Sequence, residues 1–369
     1  MKAVSNVTRR QALEAFTMTA AATALRASAF AQTDAGTTTF PKGAIIRTIL
    51  KDYAPEELAG GATLFHEHFQ LAPDFNAKFF AATAAARAAN GLPPAPARGG
   101  GPGRAGGPPP GPDIMHDVDL MTAEVKKAAM EGNIACIVEA GHPEMGRDVN
   151  FVRQVAMKSG VPIVIGGGLY SQPWYPKEIP AMSEDQIFRM LIKQVDDDVV
   201  GAFGEIGSWD EISKDERKVF RAVGRAHVAT NIPIFTHTGI PGKSALEQLD
   251  LFEDAGVDPH HVVIGHLGNL VDPNVYVHKQ ICRRGAFVGF DRQGVNDTQQ
   301  VPMVMALIEA GFADHLMFSA DASSGYAKTV TVFLPKLKAA GATDEVLHKI
   351  MVDNPRRFLA FVPKRPRKK

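Results

Sequence analysis

One pattern recurs eight times over residues 45–361: a short apolar run, a turn, then often a stretch whose apolar positions return every three or four residues. The apolar runs are 62–65, 134–138, 162–165, 199–203, 232–235, 262–264, 286–290 and 316–318. Short runs of this kind suit strands covered on both faces, as in parallel sheets. Between them, 118–130, 183–195, 216–229 and 244–255 carry helical spacing. Eight alternating units predict an α/β chain closed into a (β/α)8 TIM barrel rather than an open doubly wound sheet. No Gly-x-Gly-x-x-Gly follows the first run and no Gly-x-x-x-x-Gly-Lys-Ser/Thr occurs, so the nucleotide-binding folds lose support.

A closed parallel barrel builds its active site where its strands end, so the polar residues at those ends are the candidates. The first run ends in His66-Glu67-His68, the fourth in Gly204-Glu205-Ile206-Gly207 and the fifth in Thr236-His237-Thr238. The sixth ends in Gly265-His266 and the eighth in Ser319-Ala320-Asp321. Alternation along a strand places His66 and His68 on one side and Glu67 on the other. A single strand-end histidine is ordinarily structural, and a single Asp after a strand ordinarily caps a helix. The whole set is different, because burying it without a cation would cost on the order of several kcal/mol. It predicts a metal site whose imidazole and carboxylate donors suit zinc, manganese, iron or cobalt.

Charge and composition then narrow the setting. Lys+Arg and Asp+Glu number 40 each, but four of the basic groups lie in residues 1–31 and five in residues 364–369. Residues 32–363 therefore carry a net charge of about −8, which disfavours nucleic acid as a partner. Two cysteines, Cys136 and Cys282, exclude a disulfide scaffold and read as core thiols. No apolar run is long enough to span a membrane. Residues 1–31 read as an export signal, with Arg9-Arg10 resembling a twin-arginine motif and Ala29-Phe30-Ala31 a cleavage site. A periplasmic or extracellular barrel domain over 32–363 is the expectation. Residues 91–112 hold eight Gly and eight Pro, the composition of a disordered surface insertion. The basic tail, 364–369, reads as a solvated end.

The strand-end residues also resemble a known family. Gly61-Ala62-Thr63-Leu64-Phe65-His66-Glu67-His68-Phe69 is similar to the opening signature of the phosphotriesterase family of the amidohydrolase superfamily. Gly146-Arg147-Asp148, Phe235-Thr236-His237-Thr238, Val263-Ile264-Gly265-His266 and Asn354-Pro355-Arg356-Arg357-Phe358 match that family in order. The resemblance implies a binuclear metal centre at the C-terminal ends of the strands, holding two divalent ions, zinc foremost. His66, His68 and Asp321 match the ligands of the more buried ion, and His237 with His266 those of the more exposed one. Well-studied members bridge the ions with a carboxylated lysine, where this chain has Glu205. The implied chemistry is attack by a metal-bridged hydroxide on a lactone, carboxylic ester or phosphoester, with Asp321 accepting the proton.

Two departures refine this expectation. Phosphotriesterases proper carry a proton-relaying Asp after the sixth strand and His after the seventh, where this chain has Asn269 and Arg292. Asp291-Arg292-Gln293-Gly294 and Gly168-Leu169-Tyr170 are more similar to stretches of phosphotriesterase-like lactonases. They imply that Arg292 and Tyr170 line the pocket and that a lactone or ester is cleaved. The resemblance is also compatible with a homodimer. A TatD-like nuclease would open His-x-His-x-Asp, whereas Phe69-Gln70 follow His68 here. A mononuclear amidohydrolase follows if Glu205 is no ligand, and a non-catalytic exported binding protein would have lost ligands.

Overall fold

The computed structural model describes residues 38–94, 113–239, 242–270, 272 and 274–367. The expected export signal, 1–31, and most of the Pro/Gly-rich insertion thus lie outside the described residues. Eight strands form one parallel sheet in chain order. They are β1 (Ala62–Glu67), β2 (Ile134–Glu139), β3 (Ile163–Gly167), β4 (Ala202–Ser208), β5 (Ile234–Thr238), β6 (Val262–Ile264), β7 (Phe287–Phe290) and β8 (Leu316–Phe318). The two ends of the sheet meet just beyond β8. Asp321 N–H donates to His66 O at 3.2 Å, and His68 N–H donates to Ala322 O at 3.0 Å. The barrel therefore closes at its C-terminal rim, through and beside the candidate ligands His66, His68 and Asp321.

Helices run between the strands: α1 (Phe75–Ala89), α2 (Val118–Gly132), α3 (Val149–Ser159), α4 (Glu184–Asp198), α5 (Lys214–Thr230), α6 (Ala245–Asp254), α7 (Tyr276–Arg283) and α8 (Asp297–Glu309). Their starts follow from local chemistry. Ser183 and Ser213 form capping boxes with Gln186 and Glu216, which satisfy the first free backbone N–H groups of α4 and α5. Inside the barrel Phe65, Val138, Val164, Phe235, Val263, Phe287 and Met317 are buried together with Cys136. Gly289 makes room for Phe65, since a Cβ there would lie 2.7 Å from the phenyl Cζ. Cys136 and Cys282 are both buried and unpaired, as expected of core thiols.

Three findings differ from the expectation. First, several strands run past their apolar cores: β1 continues to Glu67, β4 through Glu205 to Ser208, and β5 through His237 to Thr238. Backbone pairing continues there, with Gly207 beside His237 and Ser208 beside Thr238, after the hydrophobic pattern has stopped. Second, α1 is an extra helix within the β1–β2 connection. Its end is tied over the barrel mouth by Asn90, whose Nδ2 donates to Asp210 Oδ2 at 2.6 Å and whose Oδ1 accepts from Lys243. Third, the basic tail is not a solvated end as far as it is described. Arg365 pairs with Asp196 at 2.8 Å, while Arg367 donates to Asp52 at 2.9 Å and to the Thr48 and Ile49 carbonyls at 2.8 Å. A guanidinium fork finds planar acceptors there, which a count of charges does not foresee.

Candidate metal centre and its pocket

All six candidate ligands converge at the barrel mouth. His66 and His68 leave β1 on the same side, and Asp321 joins them across the closing seam. Asp321 Oδ1 lies 3.1 Å from His68 Nε2 and 3.6 Å from His66 Nε2. Glu205 reaches between both halves of the set. Its Oε1 is 3.4 Å from His68 Nε2, and its Oε2 is 3.3 Å from His66 Nε2. The same Oε2 lies 2.9 Å from His237 Nδ1 and 3.3 Å from His266 Nε2. Two donors about 2.1 Å from one tetrahedral cation stand about 3.4 Å apart, so most of these separations suit shared ions.

The hydrogen-bond account points the same way. Both ring nitrogens of His66 and Nδ1 of His68 are buried without a hydrogen-bond partner. Such groups are rare because their desolvation goes uncompensated. The donor atoms of His66, His68 and Asp321 lie within 4.8 Å of one another, as do those of His66, Glu205 and His266. The residues present therefore fit a cation.

Electrostatics within the cluster reflect the same crowding. Burial opposes charge on Glu205, but the His66 and His237 imidazoles outweigh it and hold the carboxyl well below its usual range. Burial is likewise overcome at Asp321 by the Arg292 guanidinium and the His68 bond, which keep it ionised. Burial would lower His66, yet Glu205 and Asp321 push it up to about 9. At His237 burial and the neighbouring His266 prevail, and the pKa falls to about 4. Without a cation the cluster holds protons beside its carboxylates, so metal uptake competes with protonation.

Several supporting residues had no signal as functional groups in the sequence. Asp291, at the end of β7, accepts the His266 N–H at 3.0 Å and lies 2.7 Å from its Nδ1, turning Nε2 to the centre. Gln248 on α6 clamps β5 around His237. Its Oε1 accepts from Thr236 Oγ1 at 2.7 Å and Thr238 Oγ1 at 3.2 Å, and its Nε2 donates to the His237 carbonyl at 3.1 Å. Glu67 faces away from the cluster, as alternation requires, and binds the segment after β8. Ser319 Oγ at 2.8 Å, Ala320 N at 2.7 Å and Ala322 N at 3.0 Å all donate to it, bracketing Asp321 on both sides. Replacing Asp291 by asparagine should weaken cation binding at His266 about 10- to 100-fold. Competition with a chromophoric chelator measures this, and unchanged affinity would remove Asp291 from the supporting set.

A cavity of about 350 Å³ opens above these residues, and Tyr170 and Arg292 both line it. Tyr170 OH lies 3.2 Å from His237 Nδ1, and burial then Glu205 push its pKa well up. Arg292 Nε donates to Asp321 Oδ2 at 2.8 Å, and its guanidinium carbon sits 5.7 Å from the centre of the Phe79 ring. Arg292 is thus both an ion-pair partner and a wall of the pocket. Trp174 stands behind that wall, 4.8 Å from Tyr170 and 5.2 Å from Phe75 between ring centres. Asn269 does not line the cavity and instead accepts a bond from Asn296 at 3.0 Å. Phe75 and Phe79, which do line it, belong to the unforeseen α1; their i, i+4 spacing was the available signal.

A parallel barrel that gathers histidines and carboxylates at its strand ends, beneath a single mouth, defines a TIM-barrel hydrolase. The phosphotriesterase family profile matches residues 54–359, and the chain belongs to that family. An aryldialkylphosphatase of Saccharolobus solfataricus is 31% identical over 266 residues, covering 64% of this chain and 84% of the relative. An N-acetyltaurine hydrolase of Danio rerio is 23% identical over 366 residues, covering 86% of this chain and 98% of that protein. A resiniferatoxin-binding protein from Rhodobacter sphaeroides superimposes with a TM-score of 0.71 at 26% identity, over 87% of this chain and 96% of that one. The chain is a hydrolytic enzyme of a family whose named substrates vary.

Proposed function

We propose that this enzyme hydrolyses a lactone or carboxylic ester at a centre of two divalent cations, zinc foremost. His66, His68 and Asp321 would hold one ion, His237 and His266 the other, and Glu205 would join them. The observation that carries this reading is Glu205, whose two oxygens face imidazoles of both groups at 2.9–3.4 Å. Cations bound there would acidify a water and polarise the substrate carbonyl. The chain's own groups supply the rest. Asp321 Oδ2 is fixed by Arg292, which leaves Oδ1 turned to the centre to accept the proton of the attacking water. Tyr170 OH and the free Arg292 N–H groups stand on the wall as donors to the oxyanion or leaving group.

Carbon rather than phosphorus is favoured because Asn269 and Arg292 stand where a relay Asp and His would be in phosphotriesterases proper. An amide is the second reading, supported by the N-acetyltaurine hydrolase alignment, which covers 86% of this chain. Elemental analysis after gel filtration, with a panel of lactones, carboxylic esters, amides and phosphotriesters, tests both. About two ions per chain and ester turnover are expected. One ion would move Glu205 out of the ligand set, and none, with no gain on adding metal, would overturn the reading. The enzyme is exported through residues 1–31 in the same proposal, so the N-terminus of the mature protein should be Gln32. Amino-terminal sequencing of a periplasmic fraction checks it.

A further inference from the structure

The two walls of the cavity differ in chemistry. On one side α1 presents Phe75, Phe79 and Phe80, with the Phe75 and Phe79 rings stacked 6.0 Å apart at an interplanar angle of 16°. On the other, the segment after β8 presents Ser323, Ser324 and Lys328. None of these three side chains has a hydrogen-bond or ion-pair partner among the described residues. The Lys328 side chain folds back along its own loop. A Cβ on Gly325 would lie 2.6 Å from Lys328 Cε and 3.0 Å from Nζ, so glycine leaves the ammonium room there. The nearby acid Glu124 is already engaged by the Gly325 N–H.

Acid groups do not neutralise this wall. The only carboxylates among the described lining residues are Glu205 and Asp321, and both are committed to the histidine cluster and Arg292. An unpaired ammonium and two unpaired hydroxyls in one cavity lining are a charge-assisted donor set for an anion. The stacked phenyl rings in the lining of the same cavity offer a face to an apolar or aromatic group. We infer that the substrate is an anionic amphiphile. Its ring-sized apolar group lies on α1, its anionic group lies at Lys328, Ser323 and Ser324, and its scissile bond lies at the strand-end cluster between them. A volume of about 350 Å³ is at the small end for ligand sites and suits one or two rings with a short chain. This inference rests on the hydrolase reading above.

The test is binding, which needs no turnover. Metal-loaded full-length protein is titrated calorimetrically with 2-naphthalenesulfonate and with its neutral, size-matched sulfonamide. The sulfonate should bind about tenfold more tightly than the sulfonamide. Lys328→Met should remove most of that preference, while Lys328→Arg keeps it. Phe79→Ala should weaken both probes about tenfold, with Phe80→Ala as the second variant if the first fails to fold. Equal binding of the two probes, no binding of either, or a preference that survives Lys328→Met would overturn the inference. In the last case the anion is held by the centre or by Arg292. Absence of ester or amide turnover beside an intact, Lys328-dependent preference would fault the hydrolase reading alone.

Discussion

Replacing Glu205 with alanine will lower kcat/KM on the order of 10³-fold, equivalent to about 4 kcal/mol of transition-state stabilisation. If the proposed two-ion centre is correct, it will also lower bound metal from about two ions per chain to one or fewer. The reason is geometric and electrostatic together. Among the described residues Glu205 is the one group within 3.4 Å of His66, His68, His237 and His266 alike, so no described neighbour can take over its place between them. Its negative charge would also offset the repulsion of two cations held there. The metal-free variant should still fold, because the imidazoles can lose protons when the carboxylate is gone. His66, now raised to about 9 chiefly by Glu205, should then titrate lower, which histidine NMR will show. Full metal content with full activity would remove Glu205 from the centre.

Glu67→Ala should cost about 3 kcal/mol of stability, although Glu67 does not face the cluster. Ala320 N and the half-buried Ala322 N lose their acceptor at once, and Ser319 Oγ is left with the His66 carbonyl alone, 2.9 Å away. Each unsatisfied buried group is worth about 1–3 kcal/mol, partly recovered by relaxation and water entry. The same three bonds hold the loop that carries Asp321 against the strand that carries His66 and His68. Metal affinity should therefore fall about 10- to 100-fold along with stability. Glu67→Gln keeps one carbonyl oxygen and should recover roughly half of the stability lost. Urea unfolding of the metal-free protein separates the stability effect from the metal effect. A variant as stable as the parent would show that the seam is closed by its backbone bonds alone.

Much of the barrel was legible because its signals are local. A run such as 262–264 is apolar since both faces of β6 are covered, and its bounds coincide with the observed strand. The polar continuations of β1, β4 and β5 were harder to bound. Their pairing persists where the side chains turn from core packing to chemistry. The absence of α1 from the sequence reading has another cause. Most of its alanines are exposed and nearly featureless in pattern, and only Phe75 and Thr83 on it are buried. A helix that covers a mouth instead of a core carries little amphipathic signal.

Sequence by itself determined the order of the β–α units, the side of β1 that His66 and His68 share, and the strand ends where the six candidate ligands stand. These follow from the period of two along a strand and from the rule that barrel sites lie at strand C-termini. Tertiary structure alone decided which atoms meet. Ser319 reaches the His66 N–H across 253 residues, and Asp291 reaches His266 across 25. That Arg292 turns to Asp321, and that the α1 phenyl rings share one cavity with Lys328, also depends on how the barrel curves and closes. Curvature and closure are properties of eight strands packed together, and no local stretch of chain contains them.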